Sequence, residues 1–188
     1  MRMFLAVFPS SQAQEAAHRV IERLRRPDDD VSWVRQENLH YTMRFMGDQD
    51  DDGVSRLIAA ARLGVAERPT FMATLGVAGA FPSARRARVL WLGLSEGAEA
   101  MTALAGGLER ALVGQGFDAA ERAFSPHLTL GRVRRRDQDW SARLAGVAAV
   151  LEGGRAPGFA VDRVLVVESA LSPGGSIYHV RAEAALSA

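Results

Sequence analysis

At 188 residues, with 48% hydrophobic and 24% charged residues, the chain has the composition of a globular fold, one domain or two small lobes sharing a core. A net charge of +1 excludes a broadly basic nucleic-acid binder, and the lack of cysteine excludes disulfides, thiolate nucleophiles and cysteine metal sites. Lysine is absent too, all 23 basic residues being arginine, which removes a Walker-type phosphate loop and a lysine nucleophile for nucleotidyl transfer.

In chain order, residues 2–8 (RMFLAVF) are a buried strand ended by Pro9. The start MRMFLAVFPSS is too short in its apolar core for a secretory signal and lacks a small-residue cleavage site, so a cytoplasmic address is expected. No apolar run approaches the ~20 residues that cross a bilayer. Residues 10–26 read as a helix with a serine cap and Pro27 beyond; DDD at 28–30 is a loop. Residues 39–46 favour a strand closed by Gly47, and 52–66 a helix with Leu57, Ile58, Ala61 and Val65 on one face. Strands follow at 70–77 and 88–94, separated by the loop AGAFPSARRA. Then come a helix at 97–113, a strand at 127–133, a helix at 138–151 and a GG break at 153–154. Strands at 159–168 and 177–184, joined by SPGGS, close the chain. Helices and strands are interspersed, and no composition break marks a linker, so residues 1–188 are read as a single domain.

Two strands carry the same pattern: His40-Tyr41-Thr42-Met43 and His127-Leu128-Thr129-Leu130. With four His and five Thr in the chain, two such coincidences arise by chance in roughly 0.4% of sequences. On a strand, residues two apart face the same side. His40 therefore points with Thr42, and Arg44 continues the row, while His127 points with Thr129; Tyr41, Met43, Leu128 and Leu130 take the opposite, core-like face. Any half-exposed strand alternates this way, and only the repetition speaks for a site. If the strands lie side by side, one cleft holds two imidazoles and two hydroxyls. One imidazole can be neutral as base and the other protonated as acid. The hydroxyls, with arginine nearby, can hold non-bridging phosphate oxygens. This is a metal-free and cofactor-free arrangement for displacement at phosphorus, suited to a strained cyclic phosphate. Arginine clusters at Arg85, Arg86, Arg88 and at Arg132, Arg134, Arg135, Arg136 offer a patch for an anionic substrate or a solvated surface.

These paired motifs, with WVRQENLHYTMRFMGD, VLWLGL, FSPHLTLGRVR and ESALSPGGSIYHV in order, resemble the 2H phosphoesterase superfamily. Within it the chain is similar to the RNA 2′,3′-cyclic phosphodiesterases, also called 2′-5′ RNA ligases. The resemblance implies a bilobal α+β fold. Two antiparallel sheets would face a central cleft, with helices packed outside and a pseudo-two-fold duplication. It implies hydrolysis of RNA 2′,3′-cyclic phosphate ends to 2′-phosphomonoesters, and a reversible 2′-5′ joining of RNA. It assigns His40 as proton donor, His127 as proton acceptor, Thr42 and Thr129 as phosphate-binding hydroxyls, and Arg132 as a basic residue beyond the second motif. By strict alternation Arg132 faces away from His127, so its role depends on a bend at Gly131. Arg44, Phe81 and Tyr178 complete the expected substrate-binding set, with Phe81 set to stack on a base or to anchor its loop. The expected partner is an RNA end or a nucleotide-like small molecule, bound by a monomer.

Other readings compete. Gly93-Leu94-Ser95-Glu96-Gly97 fits the nucleophile-elbow pattern of a serine esterase, with Asp118 or Asp162 and His127 or His179 as partners. Ser95 as a helix N-cap, with Glu96 and Glu99 in the first turn, is the simpler account. A non-catalytic RNA-binding module would use the arginines and aromatics without chemistry. A zinc site on His40 and His127 lacks a third ligand in the sequence. His18 is expected on a solvent face, His179 at an ordinary strand position, and Trp33, Trp91 and Trp140 in packing roles.

Overall fold

The structure, a computed structural model, describes residues 1–134, 138–152, 156–173 and 175–187. Its elements are β1 (Arg2–Val7), α1 (Ser11–Leu24), β2 (Val31–Trp33), β3 (Tyr41–Asp48), α2 (Asp51–Val65), β4 (Phe71–Phe81), β5 (Val89–Glu96), α3 (Ala98–Gly114), β6 (Leu128–Val133), α4 (Ser141–Ala145), α5 (Val147–Glu152), β7 (Gly158–Val161), β8 (Arg163–Ser172) and β9 (Gly175–Ala185).

Local chemistry accounts for the helices. Ser10 caps α1 by accepting from the Ala13 N–H at 3.3 Å, and Ala13, Ala16, Ala17, Val20, Ile21 and Leu24 form its buried stripe. Asp50 caps α2 by accepting from the Gly53 N–H at 2.8 Å, with Asp51 and Asp52 at the positive end of the helix dipole. Gly64 lets α2 press on α3: a Cβ there would lie 2.8 Å from the Leu108 Cα.

The strands form one curled antiparallel sheet in the order β7-β4-β5-β6-β3-β1-β8-β9, with β2 added to the far end of β6. The fold is the expected α+β class, and its two sheets are two halves of this surface. Reading outward from the centre, one lobe runs β3-β1-β8-β9 and the other β6-β5-β4-β7. The units β1-α1-β3 and β5-α3-β6 correspond, which is the pseudo-two-fold relation. The halves meet where Tyr41 of β3 stands opposite Leu128 of β6.

Several boundaries differ from the sequence reading. β2, three residues long, is too short to leave a periodic signal. β4 runs on to Phe81 through part of the expected loop, because Ala78–Phe81 pair with Val89–Leu92. The helix expected at 138–151 is two short helices meeting at Gly146. The strand expected at 159–168 divides at Asp162: β7 pairs with β4 in one lobe and β8 with β1 in the other. Ser95 and Glu96 belong to β5, and the cap of α3 is Gly97 at φ 81°. A side chain at Gly97 would meet the Met72 carbonyl at 2.6 Å, so glycine, not serine, fits there. Arg135, Arg136, the pair at 153–154 and Gly174 of the last hairpin lie outside the described residues. No described helix is long and apolar enough to cross a membrane.

Candidate active site

His40 and His127 each stand one residue before their strands, β3 and β6. Because Tyr41 pairs antiparallel with Leu128, the register sets Thr42 across from His127 and Thr129 across from His40. All four side chains take the face opposite Tyr41 and Leu128, which are fully buried. All four line one cleft of about 1630 Å³, as do Arg132, Arg44, Phe81 and Tyr178.

The two imidazoles are held alike. His40 Nδ1 lies 2.7 Å from the Asn38 carbonyl and His127 Nδ1 lies 2.7 Å from the Ser125 carbonyl. A carbonyl only accepts, so each Nδ1 carries the hydrogen, and Nε2 is left for chemistry. His40 Nε2 lies 3.0 Å from Thr42 Oγ1; in the neutral imidazole it accepts from that hydroxyl.

Their surroundings differ. The His40 ring sits 5.0 Å from Phe4, 5.2 Å from Phe8 and 5.4 Å from Tyr178. Burial in this aromatic box pushes the His40 pKa down to about 4, against a partial rise from the Asn38 carbonyl. Repulsion from His127 and Arg132 adds to the fall. His127 meets one ring, Phe81, edge-on at 5.2 Å, and Phe81 rests on Trp91 at 5.0 Å. Burial also raises the Tyr178 pKa, with Arg132 acting the other way.

Arg132 reaches the cleft through an irregularity. Leu90 pairs with Gly131 and Trp91 with Thr129, so Leu130 is an extra residue in β6. This bulge resets the alternation and sets Arg132 on the same face as Thr129. A Cβ on Gly131 would come 2.8 Å from Val31 Cγ1 and 2.9 Å from Trp33 Cε3, so β2 packs directly over the bulge.

Arg44 also lines the cleft, but its guanidinium is engaged. Nη1 lies 3.3 Å from Glu109 Oε2, and Nη2 donates to the Asp118 carbonyl at 2.7 Å. Of the arginine clusters, only Arg132 among the described residues reaches the cleft. Arg134 turns to Ser32, at 2.8 Å, and Arg85 stands 4.0 Å from Asp139. Ser95 does not line the cleft, and its hydroxyl donates to the Leu75 carbonyl at 3.2 Å. His179 takes the opposite face of β9 from Tyr178 and is exposed, and His18 is half-buried beside Glu22 at 3.7 Å. Trp140 is fully buried, while Trp33 lines the cleft as well as packing on Trp140. Among the described residues no group of three or more His, Asp or Glu gathers as for a metal ion.

The sequence reading missed Phe4, Phe8, the carbonyls of Asn38 and Ser125, and Glu109. The carbonyl spacing, two residues before each His, is visible in NLH and SPH, but a backbone acceptor has no residue identity to read.

The sequence and the fold have known counterparts. The family model described as the 2′-5′ RNA ligase superfamily matches residues 9–172. The chain is 35% identical, over 95% of its length and 95% of the relative's, to a protein of Methanothermobacter thermautotrophicus named RNA 2′,3′-cyclic phosphodiesterase. A protein of the same name from Thermotoga maritima is 31% identical over 96% of this chain and 92% of its own. Among solved structures, TT0787 of Thermus thermophilus matches with a TM-score of 0.79 at 24% identity, covering 99% of this chain and 98% of that one. E. coli LigT complexed with 3′-AMP matches with a TM-score of 0.74 at 24% identity, covering 100% and 98%. The chain belongs to the 2′-5′ RNA ligase superfamily, a branch of the 2H phosphoesterases.

Proposed function

We propose that the protein hydrolyses 2′,3′-cyclic phosphate ends of RNA to 2′-phosphomonoesters by paired histidine acid–base catalysis. The observation carrying this reading is the pair of imidazoles, each with Nδ1 tied to a carbonyl and Nε2 left for one cleft shared with Thr42, Thr129 and Arg132. The names of the relatives in Methanothermobacter and Thermotoga support the substrate class.

Water attacks phosphorus while His127 Nε2 takes its proton. The bond from phosphorus to O3′ breaks, and His40 Nε2–H protonates the departing oxygen, leaving the phosphate on O2′. Thr42, Thr129 and Arg132 hold the non-bridging oxygens as charge builds. His40 must be protonated to serve as acid, whereas its pKa of about 4 makes it neutral at pH 7. A phosphate anion between the imidazoles opposes the repulsion from His127 and Arg132 and raises that value. A 5′-hydroxyl attacking in place of water gives a 2′-5′ phosphodiester by the same proton transfers, and attack by the 3′-hydroxyl on that linkage returns the cyclic phosphate. This reading treats residues 1–188 as one bilobal domain and the protein as a cytoplasmic monomer.

The test is incubation with a short RNA ending in 2′,3′-cyclic phosphate, without metal or nucleotide. A 2′-phosphate product is expected. Binding with unchanged RNA ends and a steep salt dependence would instead favour the non-catalytic module.

A further inference from the structure

The cleft extends well past the two imidazoles, and its far arm has a different chemistry. It is lined by α3 and residues 118–125. Resting on the reading above, we propose that this arm is a second base subsite, holding the nucleobase one nucleotide upstream of the cyclic phosphate, with Phe45 as its stacking face.

Phe45 is 55% exposed although aromatic, and it lines the cleft. Its ring is backed by Phe4 at 5.8 Å and tilted by 33°, which fixes it without covering it. It lies three residues beyond Thr42, about 10 Å along the strand. Phe81, by contrast, stands beside His127, next to where the phosphate would lie. The same cleft is also lined by the α3 row Thr102, Ala105, Gly106 and Glu109, at helical spacing and small at its centre. A side chain at Gly106 would meet only Arg110 Nη1, at 3.6 Å, so this row is low there.

Charge decides the occupant. Glu109, Asp118, Glu121 and Arg122 line this arm. Arg44 is taken by Glu109 and the Asp118 carbonyl, and Glu109 also accepts from the Ala120 N–H at 2.6 Å. The arm therefore sets three carboxylates against Arg44 and Arg122 and is the less favourable end for a phosphate, while the end holding His40, His127 and Arg132 attracts one. A flat, uncharged ring fits the arm. The cleft volume of about 1630 Å³ also exceeds the ~300–1,000 Å³ of a site for one small ligand.

The experiment compares uridine 2′,3′-cyclic phosphate with the dinucleotide ApU ending in 2′,3′-cyclic phosphate. Stacking of one base predicts an advantage in kcat/KM on the order of tenfold for the dinucleotide. Phe45→Leu should bring that ratio close to one, and Phe45→Trp should keep or increase it. A ratio unchanged in Phe45→Leu overturns the proposal. So does an equal advantage for 5′-phosphorylated uridine 2′,3′-cyclic phosphate, which would mean that the phosphate is recognised and not the base. Equilibrium binding of the corresponding 2′-phosphates gives the same ratio without turnover. A protein that fails to hydrolyse but keeps the binding ratio would sink the proposed catalysis and leave this subsite standing.

Discussion

Tyr41 and Leu128 form the residue pair through which the two halves of the sheet are joined, and both are fully buried. The histidine just before each and the threonine just after each take the other face. This pairing, made across 87 positions of sequence, brings two imidazoles and two hydroxyls into one cleft.

If the Nε2 atoms carry the chemistry, His40→Asn and His127→Asn should each lower kcat about 10²- to 10⁴-fold with the fold retained, read by circular dichroism. The double variant should fall well short of the product of the two losses, because the groups act as a unit. Thr42→Val and Thr129→Val should cost less, about 10- to 100-fold. EDTA should leave turnover unchanged. Chelator-sensitive activity would count against the mechanism.

His40 should titrate near pH 4 by NMR of its ring protons. Phe8→Ala opens the aromatic box and should move the midpoint up toward 6.5, since burial is the largest cause of the fall. Inorganic phosphate should raise it as well. The kcat/KM profile should be bell-shaped with one acid and one base, and a flat profile through the histidine range would contradict the pairing.

The same shift affects stability. The folded pKa of His40 lies below its unfolded value near 6.5, so the unfolded chain binds the extra proton first. The stability it contributes is full above pH 6.5 and is lost as pH falls toward 4, by up to about 3 kcal/mol. Urea unfolding of wild type and His40→Gln should diverge over that window, the variant losing less. Parallel curves would show that His40 is not desolvated.

Arg132→Gln should raise KM at least tenfold and also raise the His40 midpoint, because its charge acts on both substrate and imidazole. A KM effect with an unmoved midpoint would place Arg132 away from His40.

Gly131→Ala drives a methyl into Val31 and Trp33. It should cost about 1–3 kcal/mol in thermal or urea unfolding, and it should raise KM by displacing the bulge that aims Arg132. Full stability would show that β2 gives way freely.

Much of the site was legible because it depends on local periodicity. Alternation alone sets His40 with Thr42 and His127 with Thr129, and it buries Tyr41 and Leu128. The helix starts at Ser10 and Asp50 follow from caps a few residues away. The cap of α3 was misread at Ser95 because the choice between Ser95 and Gly97 is made by the Met72 carbonyl of a neighbouring strand.

What the chain determined by itself is that His40 stands with Thr42 and His127 with Thr129, away from Tyr41 and Leu128, since that needs only the two-residue repeat of an extended backbone. Tertiary structure decided which strands are neighbours, and with them the union at Tyr41 and Leu128 and the division at Asp162. It also decided the extra residue at Leu130 that turns Arg132 inward and the rings of Phe4 and Phe8 that dry His40. Register and enclosure are chosen by burial against residues far along the chain, and no local pattern encodes them.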